Sequence, residues 1–195
     1  MVNRKVNSMS FQFRPLRIPD VVLIEAQARE DKRGFFHEMY KALAFAANGI
    51  STPFVQDNYV RSHCGVIRGL HYNLLPQAQG KLMMVLRGRI FDVAVDIRRG
   101  SPTYGQHVGQ ELFDDDRYML YIPPGFAHGF GVLSVEADLF YKVTVEYEPE
   151  LERGILWNDP TIGVKWPIAC PILSERDTQL PLLKDAENNF VFGKK

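Results

Sequence analysis

The chain has 195 residues, with Lys+Arg 23 balanced by Asp+Glu 23, 46% hydrophobic residues and 24% charged. This is enough chain for one domain with a core that needs no disulfide or metal staples, and the composition excludes a disordered or fibrous protein. The formal net charge of zero excludes polyanion binding as the main task, so no nucleic-acid partner is expected.

Residues 1–10 read as a polar, flexible leader. Asn7, Ser8, Gln12 and Arg14 interrupt what would be the apolar region of a signal peptide, and no stretch reaches the ~18 apolar residues of a spanning helix. A soluble, cytoplasmic domain without a membrane partner is expected. A strand is predicted over 21–25 and one helix over 36–48, where Met39, Leu43, Ala46 and Ala47 recur at helical spacing and Gly49 ends the run. Short strands follow over 54–59, 66–72 and 82–86. Along 90–98, Phe91, Val93, Val95 and Ile97 alternate with Asp92, Ala94, Asp96 and Arg98, the pattern of a half-buried strand.

Gly100-Ser101-Pro102 then turns the chain, a strand follows over 118–122, and Pro123-Pro124-Gly125 turns it again. Leu139, Tyr141, Val143, Val145 and Tyr147 share one face of a further strand, Asp159-Pro160 marks a corner, and residues 182–195 form a polar surface tail. Many short strands between such turns indicate an antiparallel β-sandwich or barrel. Neither a glycine-rich dinucleotide fingerprint nor a Walker loop is present, and no linker or repeat divides the chain, so 1–195 is read as a single domain.

Four polar residues sit among apolar or glycine-rich neighbours: His71, Lys81, His128 and Tyr141. Singly, each reads more simply as structure: a hydrogen-bonded core histidine, a charged strand edge, an amphipathic core aromatic. The five histidines are well separated, no spacing asks for a metal, and no metal site is expected. Cys64 and Cys170 form no spaced motif and are expected to be reduced and structural.

The ordered motifs of this chain resemble the dTDP-4-dehydrorhamnose 3,5-epimerase family. They are Asp31-Lys32-Arg33-Gly34-Phe35-Phe36, Phe54-Val55-Gln56-Asp57-Asn58, Arg68-Gly69-Leu70-His71-Tyr72 and Gln79-Gly80-Lys81-Leu82. Further on come Phe91 to Arg98, Ser101-Pro102-Thr103-Tyr104-Gly105, Ile122 to Phe130, Leu156-Trp157-Asn158-Asp159-Pro160 and Trp166-Pro167. The resemblance implies a cupin-type antiparallel β-sandwich or jelly roll with a few short helices. It implies a homodimer without cofactor, acting on a dTDP-linked 4-keto-6-deoxy sugar. It also implies that His71 is the catalytic base oriented by Asp177, Tyr141 the acid on the other face of the sugar, and Lys81 the neutraliser of the enolate. Arg33, Glu38, Gln56, Asn58, Arg68, His128 and Glu152 would surround the substrate, and Tyr147 would stack on the base.

The residue types suit that chemistry. A proton beside a ketone is removable because the charge delocalises onto oxygen, and inversion takes it from one face and returns one to the other. Histidine titrates near working pH, at ~6.5 when unperturbed, which suits a base. A carboxylate on its far nitrogen fixes the tautomer, and a lysine stabilises developing negative charge. Strict alternation puts Arg68 and His71 on opposite strand faces, so a bulge at Gly69 is expected to bring both into one pocket. Val60, Asn73, Met84 and Arg176 stand where the family commonly has serine, glutamine, arginine and lysine. They are expected at the pocket wall, where they bear on whether one carbon or both are inverted. The rival readings are a single-carbon epimerase, a metal-dependent cupin and a sugar-binding module.

Overall fold

The computed structural model describes residues 10–193, so nearly all of the proposed leader lies outside the described residues. The strands in chain order are β1 (Phe11–Pro15), β2 (Val22–Ala26), β3 (Ala28–Asp31), β4 (Gly34–His37), β5 (Gln56–His63), β6 (Ile67–Asn73) and β7 (Lys81–Arg87). They continue with β8 (Arg89–Asp96), β9 (His107–Phe113), β10 (Tyr118–Ile122), β11 (Phe126–Val132), β12 (Glu136–Val143) and β13 (Glu152–Gly154). The helices are α1 (Ala42–Ala46) and α2 (Glu175–Thr178).

A six-stranded sheet in the order β1-β2-β10-β7-β12-β5 faces a five-stranded sheet in the order β13-β6-β11-β8-β9, and β3 and β4 form a separate hairpin. Every strand ladder is antiparallel. This is the expected cupin-like β-sandwich with short helices.

Three apolar layers hold it. Between the sheets lie Met83, Val85, Ile90, Ala94, Leu120, Phe126, Phe130 and Leu139. Outside the six-stranded sheet, Phe45 of α1 packs on Phe11, Phe13 and Tyr40 over Leu82, Met84 and Met119. Outside the five-stranded sheet, Ile155, Ile162, Leu183 and Phe190 cover Leu70, Tyr72, Val93, Val95 and Ile97. Removing that much apolar surface from water is the main driving term for the fold.

Several local expectations are corrected. The helix is α1 alone, because residues 34–37 are drawn into the β3–β4 hairpin. Its buried anchor is Phe45, while Leu43 points to solvent, although Gly49 ends the helix as the sequence indicates, with φ +87°. The strand β8 is covered on both faces rather than half-buried. Its apolar set packs under the C-terminal segment, and its other set, including Asp92 and Asp96, is buried as well. The strand containing Tyr141 ends at Val143, so Tyr147 lies on the following loop. The tail carries Leu183 and Phe190 as buried anchors and is therefore part of the third apolar layer. Cys64 and Cys170 are exposed thiols, not packing residues.

Candidate active site

The interior between the sheets opens at one end into two adjoining chambers. The larger, about 470 Å³, is lined by Arg68, His71, Lys81, Met83, His128, Phe130, Tyr141, Ser174, Arg176 and Asp177 among others. The smaller, about 290 Å³, is lined by Gln56, Asn58, Asn73, Gln79, Tyr147 and Glu152. His71, Lys81 and Tyr141 line both chambers and mark where they meet.

Register explains how these side chains converge. Tyr141 pairs with Asn58 on one side and with Met83 on the other, and Val143 pairs with Gln56 and Lys81. Side chains alternate along strands, so Gln56, Asn58, Lys81, Met83 and Tyr141 share the inner face of the six-stranded sheet. From the facing sheet, His71 on β6 pairs with His128 on β11, while Phe130 pairs with Arg68, and the register shifts in between. Three steps on β6 are thus matched by two on β11, the bulge expected at Gly69, and it puts Arg68 and His71 on the same cavity. Gly69 makes this possible: at φ +129° an added Cβ would stand 2.5 Å from the Gly129 Cα and 2.8 Å from the His128 carbonyl oxygen.

His71 donates through Nε2 to Asp177 Oδ1 at 2.7 Å. Asp177 is buried on the one-turn helix α2, whose first turn is capped by the Ser174 hydroxyl accepting from the Asp177 amide at 3.1 Å. Burial would raise the Asp177 carboxyl, but hydrogen bonds from His71, the Gly69 amide and Ser174 bring it below its ordinary value, so it is an anion at neutral pH. A second pair lies beside the first, with His128 Nε2 donating to Asp92 Oδ1 at 2.8 Å. Burial pushes the His128 imidazole down against the pull of Asp92, which keeps the ring neutral.

Desolvation pulls the Lys81 ammonium down to about 8, with the charges of Glu152 and Asp92 opposing. Burial raises the Tyr141 hydroxyl, partly countered by Arg68, so it keeps its proton. At the outer chamber the Tyr147 hydroxyl donates to Glu152 at 2.8 Å, and Arg176 pairs with the same carboxylate. Burial would raise the Glu152 carboxyl, but these hydrogen bonds hold it below its ordinary value. Gln56 donates to Asn58 at 2.8 Å and accepts from the Tyr147 amide at 2.8 Å, tying the chamber wall together. Among the described residues no three His, Cys, Asp or Glu side chains are grouped to hold a metal ion.

The structure therefore brings together ten of the twelve residues expected at the site. Arg33 and Glu38 line neither chamber. Arg33 is exposed at the β3–β4 turn and pairs with Asp31, and Glu38 lies just beyond β4 beside Lys41. Asp92 was not anticipated as a site residue. Its one signal was a carboxylate at a polar position of the alternating strand β8, which alternation reads as solvent-facing. Of the positions that depart from family habit, Val60 and Arg176 line the larger chamber and Asn73 the smaller. Met84 is packed in the outer apolar layer instead.

The sandwich presents a carboxylate-held histidine on one inner face and a lysine and a tyrosine on the other, and the chain that builds it is an isomerase of the epimerase class. The dTDP-4-dehydrorhamnose 3,5-epimerase family model matches residues 15–185, and the chain belongs to that family. It is 52% identical over 174 residues to the dTDP-4-dehydrorhamnose 3,5-epimerase of Pseudomonas aeruginosa, covering 88% of this chain and 96% of that one. Among solved structures it resembles a dTDP-6-deoxy-D-glucose-3,5-epimerase from Legionella pneumophila in complex with dTDP-4-keto-L-rhamnose, at TM-score 0.87 and 46% identity, covering 89% and 93% of the two chains. It also resembles a 3'-monoepimerase from Streptomyces bikiniensis in complex with dTDP-quinovose, at TM-score 0.82 and 34% identity, covering 87% of each chain.

Proposed function

We propose that the chain inverts carbons 3 and 5 of dTDP-4-dehydro-6-deoxy-D-glucose to give dTDP-4-dehydro-L-rhamnose. The observation that carries this reading is the placement of His71 on one sheet and Lys81 and Tyr141 on the other, all at the junction of the two chambers. A sugar ring lying between the sheets meets a base on one face and an acid on the other.

His71, its tautomer fixed by Asp177, takes the proton from the carbon beside the ketone. The electron pair moves onto the ketone oxygen as an enolate, and the Lys81 ammonium balances that charge where it develops. Tyr141 then delivers a proton to the opposite face, and the configuration is inverted. No cofactor is required, because the substrate's ketone is the electron sink. Arg68 would bind the diphosphate through charge-assisted hydrogen bonds, His128 lines the sugar chamber, and Gln56, Asn58, Tyr147 and Glu152 hold the nucleoside end, with Tyr147 stacked on the base.

The same reading makes the protein a homodimer. Arg33 and Glu38 are remote from both chambers of their own chain, on or beside a hairpin that pairs with neither sheet and exposes Phe35 and Phe36. Two exposed aromatics beside unused binding residues fit an arm laid on a second copy, where Arg33 and Glu38 would complete that copy's site. The whole chain serves as one epimerase domain. None of the described helices is long and apolar enough to cross a membrane, and we assign the enzyme to the cytoplasm.

Proton NMR of dTDP-4-dehydro-6-deoxyglucose with the protein in deuterated water tests the reaction. Loss of the signals at carbons 3 and 5, with formation of the rhamno product, is the expected result. Exchange at carbon 3 alone would place the chain with single-carbon epimerases such as the Streptomyces bikiniensis relative, and no exchange would overturn the reading.

A further inference from the structure

The two cysteines, which the proposed reaction does not use, sit together. Val66 pairs with Ile172 in an isolated parallel bridge, closed by the Ile67 amide on the Ile172 carbonyl at 2.9 Å and the Ile172 amide on the Gly65 carbonyl at 2.8 Å. Cys64 stands in the turn just before this bridge, closed by the Val66 amide on the His63 carbonyl at 3.1 Å, and Cys170 stands two positions before Ile172 on the other segment. The turn carrying Cys64 packs on the Cys170 backbone: a Cβ added to its Gly65 would lie 3.3 Å from the Cys170 carbonyl oxygen. Both cysteines are exposed, and both line one cavity of about 360 Å³ with Arg89, Leu133 and Ile168.

We propose that Cys64 and Cys170 form an oxidisable dithiol site whose oxidant is a peroxide. One thiolate attacks a peroxide oxygen: an S–O bond forms, the O–O bond breaks, and hydroxide leaves as water after taking a proton. The second thiolate attacks the resulting sulfenic sulfur: the S–S bond forms, the S–O bond breaks, and a second water leaves. Two thiols lose two electrons, which reduce one hydrogen peroxide to two waters, and a thiol reductant reverses the change.

Cys64 lies seven residues before His71 and Cys170 seven before Asp177, so the disulfide fastens together the two segments that carry the catalytic pair. The segment after Cys170 supplies Ile172, Leu173 and Ser174 to the cavity wall, and its ladder contact with the sheet is the single bridge at Ile172. Cross-linking clamps that wall.

The test treats the reduced protein with a small excess of hydrogen peroxide, followed by thiol titration and peptide mapping without reductant. The expected result is loss of both thiols, a mass decrease of two hydrogens per chain, one peptide joining Cys64 to Cys170 within a chain, and full reversal by dithiothreitol. Amide exchange over residues 170–174 should slow at least tenfold in the oxidised protein. Cys64→Ser and Cys170→Ser should each retain turnover, which establishes that they fold, and should each give no cross-link and no slowing. Phenylarsine oxide, which bridges paired thiols, should bind once per reduced chain and not at all to either variant. Independent sulfinic acids on the two cysteines, a disulfide between chains, or no arsenical binding would overturn the proposal. None of these readouts depends on which sugar the enzyme takes.

Discussion

His71 and His128 stand opposite each other in the register of β6 and β11, and each donates through Nε2 to a carboxylate of its own, Asp177 at 2.7 Å and Asp92 at 2.8 Å. In both rings this leaves Nδ1 as the basic nitrogen. Their surroundings separate their roles. The His71 side chain keeps 23% of its exposure and borders both chambers, whereas His128 keeps 6% and is held neutral by burial. His71 therefore faces the space a substrate would fill, while His128 is a buried, neutral wall beside it.

Replacing His71 by Ala should lower the rate of solvent-deuterium exchange into substrate by about 10³-fold or more while leaving dTDP affinity within a factor of about two. Asp177→Asn should cost about 10²–10⁴ in kcat, because an amide no longer fixes the ring proton on Nε2. NMR exchange rates and isothermal titration with dTDP check both. Exchange at the normal rate in His71→Ala would remove it as the base.

Tyr141 and His71 come from facing sheets, so loss of the acid should separate exchange from inversion. In Tyr141→Phe, deuterium should still enter at the carbon beside the ketone while formation of the inverted product falls at least about 10²-fold. Comparing exchange with product formation by NMR measures the split, and normal product formation would remove Tyr141 as the acid.

Lys81 sets the alkaline limit. Burial pulls it down to about 8, so the free enzyme loses this charge as pH rises through that value, whereas Tyr141, raised above its ordinary value, is still protonated there. A folded pKa below the unfolded value also means that the charged lysine weakens the fold at low pH. That penalty is relieved between about 8 and the ordinary lysine value. The kcat/KM profile should fall above pH about 8. Lys81→Arg should move this limb out of range, and Lys81→Met should lower kcat by about 10²–10³ at neutral pH. An unshifted limb in Lys81→Arg would assign it to another group.

The sequence was most informative where local chemistry and global structure agree. The turn at Pro123-Pro124-Gly125 and the strand over 118–122 are legible because each depends on near neighbours. Alternation misreads β8, because a strand covered on both faces needs no solvent side, and the cover is supplied by residues 155–190, far away in sequence. The same reason hides Asp92, whose partner is 36 positions on. The helical spacing over 36–48 counted Met39 and Leu43 but missed that residues 34–37 pair with β3 and that Phe45 has the aromatic neighbours. Arg33 and Glu38 came from the motif resemblance alone, and they line neither chamber of their own chain.

The bulge at Gly69 offers a test of how the site is assembled. Gly34 and Gly69 share a similar φ, +123° and +129°, but an added Cβ meets nothing within 4 Å at Gly34 and the Gly129 Cα at 2.5 Å at Gly69. Gly34→Ala therefore carries only the backbone strain, about 1–3 kcal/mol. Gly69→Ala adds a clash that β11 cannot relieve without moving His128, so its loss should be larger, about 3–5 kcal/mol in total. Thermal unfolding should place Gly69→Ala below Gly34→Ala by at least about 4 °C. Of the two, only Gly69→Ala should lose its exchange rate when assayed well below its Tm, since it alone displaces Arg68 and His71 relative to each other. Equal melting temperatures with equal activity would mean that the crossing of β6 and β11 is not what aligns the site.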